Sequence, residues 1–282
     1  MPPLLYPSPL TRTQGLGLLE AEMMMAPPRT LRLVAYNLGQ GGRRDPTVWS
    51  RLLRALGPDV LFVQETRNPA DSWLAALPDT TPDACLWSAA TSRHWGTGLW
   101  VRAGRLTPLP VPAAYQGRVV AALVEGLTWP VVEGSPVVAI SIHAPTAKGS
   151  SYIKEVGRIL DFAAALAGGL PLVLGGDFNV AVALRQPDHP LYNSRGERAV
   201  LDRLREEFGL VACWQAAHPD EPPARTLRWM RRPDSLPYHC DGLFVPAAWT
   251  AALQSCEVLE DAEWCALSDH NPVVATFGTP LV

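Results

Sequence analysis

Short apolar segments alternate with amphipathic segments along the chain from Thr30 onward. Apolar runs bounded by Gly, Pro or polar residues predict strands, and they occur at residues 31–37, 59–65, 98–102, 118–125, 136–142, 170–174, 243–245 and 273–277. Apolar positions three or four residues apart predict helices. We place one after Asp45 as N-cap and Pro46 as first residue, one from Ser150 or Ser151 to residue 167, and one over residues 198–208. This alternation predicts a layered α/β fold.

Residues 1–29 differ from the rest of the chain. Six prolines, at positions 2, 3, 7, 9, 27 and 28, disfavour helix at both ends of this stretch. A secretory signal is not expected, because no basic segment precedes a long apolar run. We expect a disordered tail, or one that results from a start codon assigned upstream of residues 23–25, three consecutive methionines. Residues 30–282 contain no repeat or linker, so we predict one domain there.

Composition narrows the class of protein. The chain is 48% hydrophobic and 18% charged, which is typical of a globular protein. Its net charge of -3 argues against a protein that coats nucleic acid through a broad basic face. No apolar run reaches the ~18 residues of a membrane span. The cysteines form no CxxC pair, so we expect buried thiols in a reducing, cytoplasmic compartment; they are Cys85, Cys213, Cys240, Cys256 and Cys265.

Polar side chains stand at six of the strand ends. One such residue is commonly a turn former, but six together predict a functional site. They supply oxygen ligands for a divalent cation and imidazoles for proton transfer or phosphate contact. Zinc is not expected, because the sequence contains no convincing set of closely spaced Cys and His ligands, so the cofactor prediction is Mg²⁺ or Mn²⁺. The residues are Asn37, Glu65, His143, Asp177 with Asn179, Asp241, and Asp269 with His270.

The motifs that carry these residues resemble a known family. Asn37 after a strand, Gln-Glu-Thr at residues 64–66, Gly-Gly-Asp-Phe-Asn at 175–179 and Ser-Asp-His-Asn-Pro-Val at 268–273 occur in the order typical of the endonuclease/exonuclease/phosphatase superfamily. The resemblance extends over residues 30–277. It implies a four-layer α/β sandwich of two mixed β-sheets packed face to face, with helices outside. It also implies a divalent-metal-dependent phosphodiester hydrolase.

The resemblance assigns roles to the residues at the strand ends. The metal ligands would be Asn37, Glu65 and Asp269. The residues around the scissile phosphate would be His143, Asp177, Asn179, Asp241 and His270. Among these, Asp241 would orient His270 and His143 would stabilise the phosphoryl oxygens, while either Asp177 or His270 would handle the proton of the attacking water. Gly39 stands where some nucleases carry an acidic residue, which argues against a second metal site.

Substrate contacts are expected from loops beside the site. Arg93 and His94 could hold a flanking phosphate, and Trp95 either stacks on a base or fills the edge of the sandwich. The polar loop of residues 185–197 offers Tyr192, Asn193 and Arg195. The arginines at positions 225, 228, 231 and 232 form either a solvated face or a phosphate-steering cluster.

Three functions follow from this pattern. The first is a metal-dependent nuclease that cleaves DNA or RNA by in-line attack of water, with nucleic acid as the partner and no protein partner evident. The second is a phosphatase or phosphodiesterase for a small molecule or lipid headgroup, which the net charge of -3 keeps open. The third is an inactive binding scaffold, which the complete set of polar strand ends argues against.

Overall fold

The structure is a computed structural model. It describes residues 30–39, 45, 47–69, 82–90, 94–130, 135–146, 149–185, 193–229 and 238–278. The predicted tail of residues 1–29 lies outside this part of the chain, so its disorder and its start codon stay predictions. The single domain over residues 30–282 stays a prediction as well.

Two six-stranded mixed sheets form the centre of the fold. The first has the order β11-β12-β1-β2-β4-β3, with β1 (Thr30–Asn37), β2 (Val60–Thr66), β3 (Cys85–Ala89), β4 (Gly96–Val101), β11 (Leu253–Val258) and β12 (Val273–Gly278). The second has the order β5-β6-β7-β8-β10-β9, with β5 (Arg105–Pro108), β6 (Val119–Glu125), β7 (Val137–His143), β8 (Leu172–Asp177), β9 (Leu210–Ala212) and β10 (Asp241–Pro246). In each sheet one internal pair is parallel, β1 with β2 and β7 with β8.

Five α-helices lie in the described part of the chain: α1 (Val48–Leu56), α2 (Tyr152–Ala167), α3 (Arg195–Glu206), α4 (Cys213–Ala217) and α5 (Ala262–Leu267). Helix α2 matches its prediction: Ser151 caps its N-terminus, and Gly168 ends it in a left-handed conformation. Helix α1 begins at Val48 with Thr47 as N-cap residue, so the prediction of Asp45 as N-cap is wrong. The Asp45 carboxylate instead accepts a hydrogen bond from the Thr47 amide.

Helix α3 begins three residues before its predicted start at residue 198. Ser194 accepts a hydrogen bond from the Glu197 amide, and the Glu197 carboxylate accepts one from the Ser194 amide. This capping box fixes the first turn of the helix at Arg195. None of the helices in the described ranges is both long and apolar enough to cross a membrane.

The two sheets pack face to face, and the helices cover their outer faces. On the side of the first sheet, the α1 residue Trp49 packs against the position of Gly98 in β4. On the side of the second sheet, helices α2 and α3 contribute Val156, Ile159 and Val200 to one apolar cluster. Between the sheets, the Phe62 ring of β2 lies directly against Gly175 of β8. This arrangement confirms the predicted four-layer sandwich.

The strands that the sequence analysis missed are the four edge strands, β3 and β11 in the first sheet and β5 and β9 in the second. Edge strands are short and half-exposed, so they lack the continuous apolar pattern that identified the internal strands. Two of the cysteines also differ from the prediction of buried thiols, because Cys85 and Cys265 are only half-buried.

The close contact between the two sheets gives a stability prediction. A Cβ at Gly175 would lie 2.5 Å from Phe62 Cγ, so Gly175→Ala forces the ring to move and should lower the free energy of unfolding by about 1–3 kcal/mol. Gly157 in helix α2 is the control, since its nearest neighbour would be 3.9 Å away. Gly157→Ala should raise the free energy of unfolding by up to about 1 kcal/mol. Urea denaturation measures both, and equal stability of the two variants would contradict the packing argument.

Candidate active site

Strand ends from both sheets meet at one edge of the sandwich. In the second sheet, His143 at the end of β7 lies opposite Asp177 at the end of β8, and Asp177 lies opposite Asp241 at the start of β10. In the first sheet, β1 ends at Asn37. The Asn37 Nδ2 donates a 2.9 Å hydrogen bond to Asp177 Oδ2, which joins the two sheets at this edge.

The carboxylate of Asp177 lies at the centre of the site. It is 1% exposed. Its Oδ2 accepts a second hydrogen bond, 3.1 Å long, from Asn179 Nδ2, and its Oδ1 accepts one of 2.8 Å from the Asn179 amide. The Nε2 atoms of His143 and His270 approach the same Oδ2 at 3.9 and 4.0 Å from two sides. Two amide side chains and two imidazoles therefore surround one buried carboxylate.

His270 is fixed in orientation by a buried carboxylate. Its Nδ1 lies 2.8 Å from Asp241 Oδ2, and Asp241 is fully buried. Because a carboxylate only accepts hydrogen bonds, the proton is on Nδ1 in this pair. The other ring nitrogen, Nε2, then faces Asp177. Asp241 therefore fixes both the orientation of the His270 ring and the nitrogen that the ring presents to Asp177.

Burial and neighbouring charges separate the titrations of these groups. Burial by itself lowers the pKa of His270, but the Asp241 carboxylate outweighs it and raises that pKa to about 10. Burial and then the positive charge of Arg118 hold the pKa of His143 well below its ordinary value. Burial and then the Asp241 carboxylate raise the pKa of Asp177 to about 7. At neutral pH, His270 is therefore cationic and His143 neutral.

Glu65 reaches the site through a strained backbone. Its φ is +51°, a left-handed conformation that is unfavourable for a residue with a Cβ. The register between β2 and β4 shifts at this point, between Val63 and Thr66, as expected for a bulge that redirects a side chain. Glu65 Oε1 lies 3.5 Å from His143 Nε2. Asn179 is the other non-glycine residue with positive φ in the described ranges, so both strained residues lie at this site.

Gly39 brings Asp269 close to Asn37. The Gly39 amide donates a 2.9 Å hydrogen bond to Asn37 Oδ1. The φ of Gly39 is +52°, and a Cβ at this position would overlap the carboxylate of Asp269. An acidic side chain of the kind that some nucleases have here would collide with Asp269. The absence of a side chain at residue 39 is therefore what allows this approach.

Thr226 holds the segment that contains Asp241. Its Oγ1 accepts hydrogen bonds from the amides of Cys240 and Asp241, at 2.9 and 3.1 Å. Its carbonyl oxygen accepts a 2.8 Å hydrogen bond from the Asn271 amide. Thr226 thus connects both halves of the Asp241–His270 pair, and the sequence analysis did not identify it.

Arg228 holds the segment that contains Asp269. Its guanidinium is buried, donates a 2.6 Å hydrogen bond to Ser268 O and also contacts Asn271 Oδ1. Its amide donates to Asp269 O at 2.8 Å. Both interpretations of the arginine cluster are therefore wrong for Arg228, which is neither on a solvated face nor available for steering. The cluster members at positions 231 and 232 lie outside the described residues.

Arg118 is a further cation at the site that the sequence analysis missed. Its Nη1 lies 3.1 and 3.3 Å from the two ring nitrogens of His143. Its guanidinium stacks 4.7 Å from the centre of the Trp95 ring. Trp95 is 4% exposed, which confirms that it fills the edge of the sandwich. The sequence did contain a signal for Arg118, since this residue comes just before β6. Strand β6 is antiparallel to β7 and therefore begins beside the end of β7, where His143 lies.

The structure brings together all eight residues assigned to metal or phosphate, although their roles stay predictions. Among the predicted substrate contacts, Asn193 is wrong, because it is buried and its Oδ1 accepts a hydrogen bond from the Arg185 amide. Arg93 and Tyr192 lie outside the described residues, and His94 and Arg195 are exposed. His94 directly precedes Trp95, and Arg195 begins α3, whose Glu197 accepts a hydrogen bond from the Ala181 amide near Asn179.

Comparison with known protein families gives one decisive match. The family described as Endonuclease/Exonuclease/phosphatase family matches residues 34–270, which include all eight residues of the site. The chain belongs to this family. A comparison with curated proteins gives no match.

Solved structures share the fold of this Endonuclease/Exonuclease/phosphatase family member at low sequence identity. The AP endonuclease LMAP from Leishmania major is 17% identical with a TM-score of 0.62, covering 92% of this chain and 91% of its own. The 3′ phosphatase NExo from Neisseria, bound to product DNA hairpin, is 23% identical with a TM-score of 0.60, covering 88% and 99%. An AP endonuclease from Archaeoglobus fulgidus is 18% identical with a TM-score of 0.63, again covering 88% and 99%.

Two groups of side chains at this site contain atoms that can bind a cation. The ligand atoms of Asp177, Cys240, Asp241 and His270 lie within 4.8 Å of one another. Burial and then the Asp241 carboxylate hold the pKa of Cys240 well above its ordinary value, so its thiol stays protonated, and His270 Nδ1 is occupied by Asp241. This group is therefore a hydrogen-bonded network. The carboxylates of Glu65 and Asp269 with the amide oxygen of Asn37 better fit a hard cation.

The hydrogen bonds of Thr226 give a second prediction. Thr226→Val keeps the shape of the side chain but leaves the buried amides of Cys240 and Asp241 without their acceptor, so the free energy of unfolding should fall by about 2 kcal/mol or more. Thr226→Ser keeps the hydroxyl and should lose less. Urea denaturation compares the two variants, and a valine variant as stable as the serine variant would show that the hydroxyl does not support this segment.

Proposed function

We propose that this protein is a divalent-metal-dependent phosphodiester hydrolase that cleaves nucleic acid, DNA or RNA. The observation that carries the proposal is the buried Asp177 carboxylate, with His143 Nε2 and His270 Nε2 at 3.9 and 4.0 Å from the same oxygen. Hydrolysis of a phosphodiester needs an acceptor for the proton of water and donors for the phosphoryl oxygens. One carboxylate between two imidazoles supplies both.

Asn37, Glu65 and Asp269 would hold the cation. All three offer oxygen atoms, and Mg²⁺ requires only one or two carboxylates because it keeps water and substrate phosphate as its other ligands. When bound, the metal supplies positive charge that stabilises the phosphoryl oxygens. The strained backbone of Glu65 supports this role, since strain of this kind is concentrated at functional sites.

Asp177 accepts the proton of the attacking water. The side-chain amides of Asn37 and Asn179 both donate to its Oδ2 and fix the orientation of the carboxylate. His143 donates to a phosphoryl oxygen, and the cationic His270 on the other side of Asp177 gives its Nε2 proton to the leaving oxygen as the bond from that oxygen to phosphorus breaks. The Asp241 carboxylate stabilises the positive charge of His270 through the 2.8 Å hydrogen bond to its Nδ1.

Nucleic acid is the substrate class that the site and the related structures favour. Arg118 adds a guanidinium next to His143, which is suited to an adjacent phosphate of a polymer. Two structures with this fold are described as AP endonucleases and another as a 3′ phosphatase bound to a DNA hairpin. Terminal phosphate removal and cleavage within a strand would use the same arrangement of residues.

Hydrolysis with and without metal tests this function. The substrates are single-stranded DNA, duplex DNA, RNA and bis(p-nitrophenyl) phosphate, each with Mg²⁺, Mn²⁺ or EDTA. His270→Ala should lower kcat for the preferred substrate by about 10²- to 10⁴-fold, the usual contribution of a positioned imidazole. The matched control is His218→Ala, because His218 stacks on Trp214, with 4.0 Å between the ring centres, outside the group of residues around Asp177.

The outcomes separate the three functions. Metal-dependent cleavage of a polymer that is lost in His270→Ala and kept in His218→Ala supports the proposal. Cleavage of the small diester alone would replace it with a small-molecule phosphodiesterase. Folded protein that neither binds metal nor hydrolyses any substrate would indicate an inactive scaffold.

The overlap at Gly39 gives a separate prediction for the metal site. Gly39→Ala pushes the Asp269 carboxylate away from Asn37, so Mn²⁺ affinity measured by calorimetry should fall and the free energy of unfolding should decrease by about 1 kcal/mol. Gly209→Ala is the control, because Gly209 has a φ of +61° and nothing within 4 Å of the position of a Cβ. It should lower stability through the same backbone strain and leave Mn²⁺ affinity unchanged. Unchanged Mn²⁺ affinity in Gly39→Ala would contradict the assignment of Asp269.

A further inference from the structure

Three large apolar side chains are exposed in the described part of the chain, and two of them belong to segments that also contain or pair with residues of the active site. Trp229 is 53% exposed and Leu184 is 47% exposed. Trp229 follows Leu227, which forms a β-bridge with His270. Leu184 comes five residues after Asn179. The third, Leu170, precedes β8 and so lies at the opposite end of this strand from Asp177.

Trp229 belongs to a short stack of flat side chains. Its ring centre lies 5.9 Å from that of Tyr238, with 43° between the ring planes. On Tyr238 lies the guanidinium of Arg185, 4.9 Å from the ring centre. The Tyr238 hydroxyl donates a 3.3 Å hydrogen bond to Glu197 Oε1. The Arg185 amide donates one of 2.7 Å to Asn193 Oδ1, so both members behind Trp229 are held in place.

We propose that Trp229, supported by Tyr238 and Arg185, is a stacking surface for an unpaired nucleobase next to the scissile phosphate. The inference rests on the nucleic-acid hydrolase proposed above and names the part of the substrate that this rim contacts. An aromatic face binds any base through its π surface, and the guanidinium behind Tyr238 adds a cation to the stack. A single indole is suited to one flat ring, whereas a protein interface needs an apolar patch of hundreds of Å².

Two connections place this surface beside the reacting atoms. The backbone of Leu227 pairs with both His270 and Tyr238. The segment that carries Leu227 therefore lies between the backbones of these two residues. The amide of Arg228, the next residue, donates to Asp269 O at 2.8 Å. Trp229 therefore comes two residues after a residue that pairs with His270 and one residue after one bonded to Asp269.

The test compares binding of two strands with the same phosphate backbone. One is a fluorescein-labelled single-stranded DNA oligonucleotide, and the other is the same strand with every base replaced by a tetrahydrofuran abasic spacer. Fluorescence anisotropy in EDTA measures Kd without cleavage. Trp229→Ala should weaken binding of the strand with bases by about tenfold and of the abasic strand by less than about twofold. Trp229→Phe should recover most of the loss.

Leu170→Ala is the matched control, since it removes an exposed apolar side chain at the other end of β8, and it should bind both strands as the unaltered protein does. An equal loss for both strands in Trp229→Ala, or no loss for either, overturns the stacking proposal and leaves the proposed hydrolase in place. If the unaltered protein binds neither strand, the nucleic-acid function fails and the stacking surface fails with it.

Discussion

The site depends on the burial of one carboxylate. An ionised carboxylate removed from water is strongly destabilising unless hydrogen bonds and charges compensate for the lost hydration. Asp177 receives part of that compensation from Asn37 of the other sheet and from Asn179. Its oxygen also attracts the imidazole of His270, which Asp241 holds from behind. The polar residues at this edge are therefore linked by hydrogen bonds in which each helps to hold its neighbours in place.

The side chains of the site are held in position by local backbone conformations that are unfavourable in themselves. Glu65 and Asn179 adopt positive φ angles, and Gly39 must lack a side chain for Asp269 to approach Asn37. The packed sheets on either side supply the rigidity that holds these conformations. Residues that contact no substrate in the proposed mechanism, Thr226 above all, then determine where Asp241 lies.

The sequence was most informative for site residues that stand at the ends of buried strands. Asn37, His143 and Asp177 could be recognised because buried strands have clear apolar patterns and their polar ends are conspicuous. Thr226 and Arg228 could not be recognised, because their hydrogen-bond partners are far away in sequence and only the tertiary fold brings them together. The edge strands were missed for the complementary reason, that their half-exposed residues carry no strong periodicity.

The first sheet is completed by strands from opposite ends of the described chain. Strand β1 is paired with β12. Ser268, whose hydroxyl donates a hydrogen bond to the Asn37 carbonyl oxygen, is 231 residues away from Asn37 in the sequence. A chain emerging from the ribosome therefore has β1 with one edge unpaired until β12 has been made. Such an edge is prone to pair with other chains. The hydrogen bond that joins Ser268 to Asn37 therefore forms only after the segment next to β12 has been made.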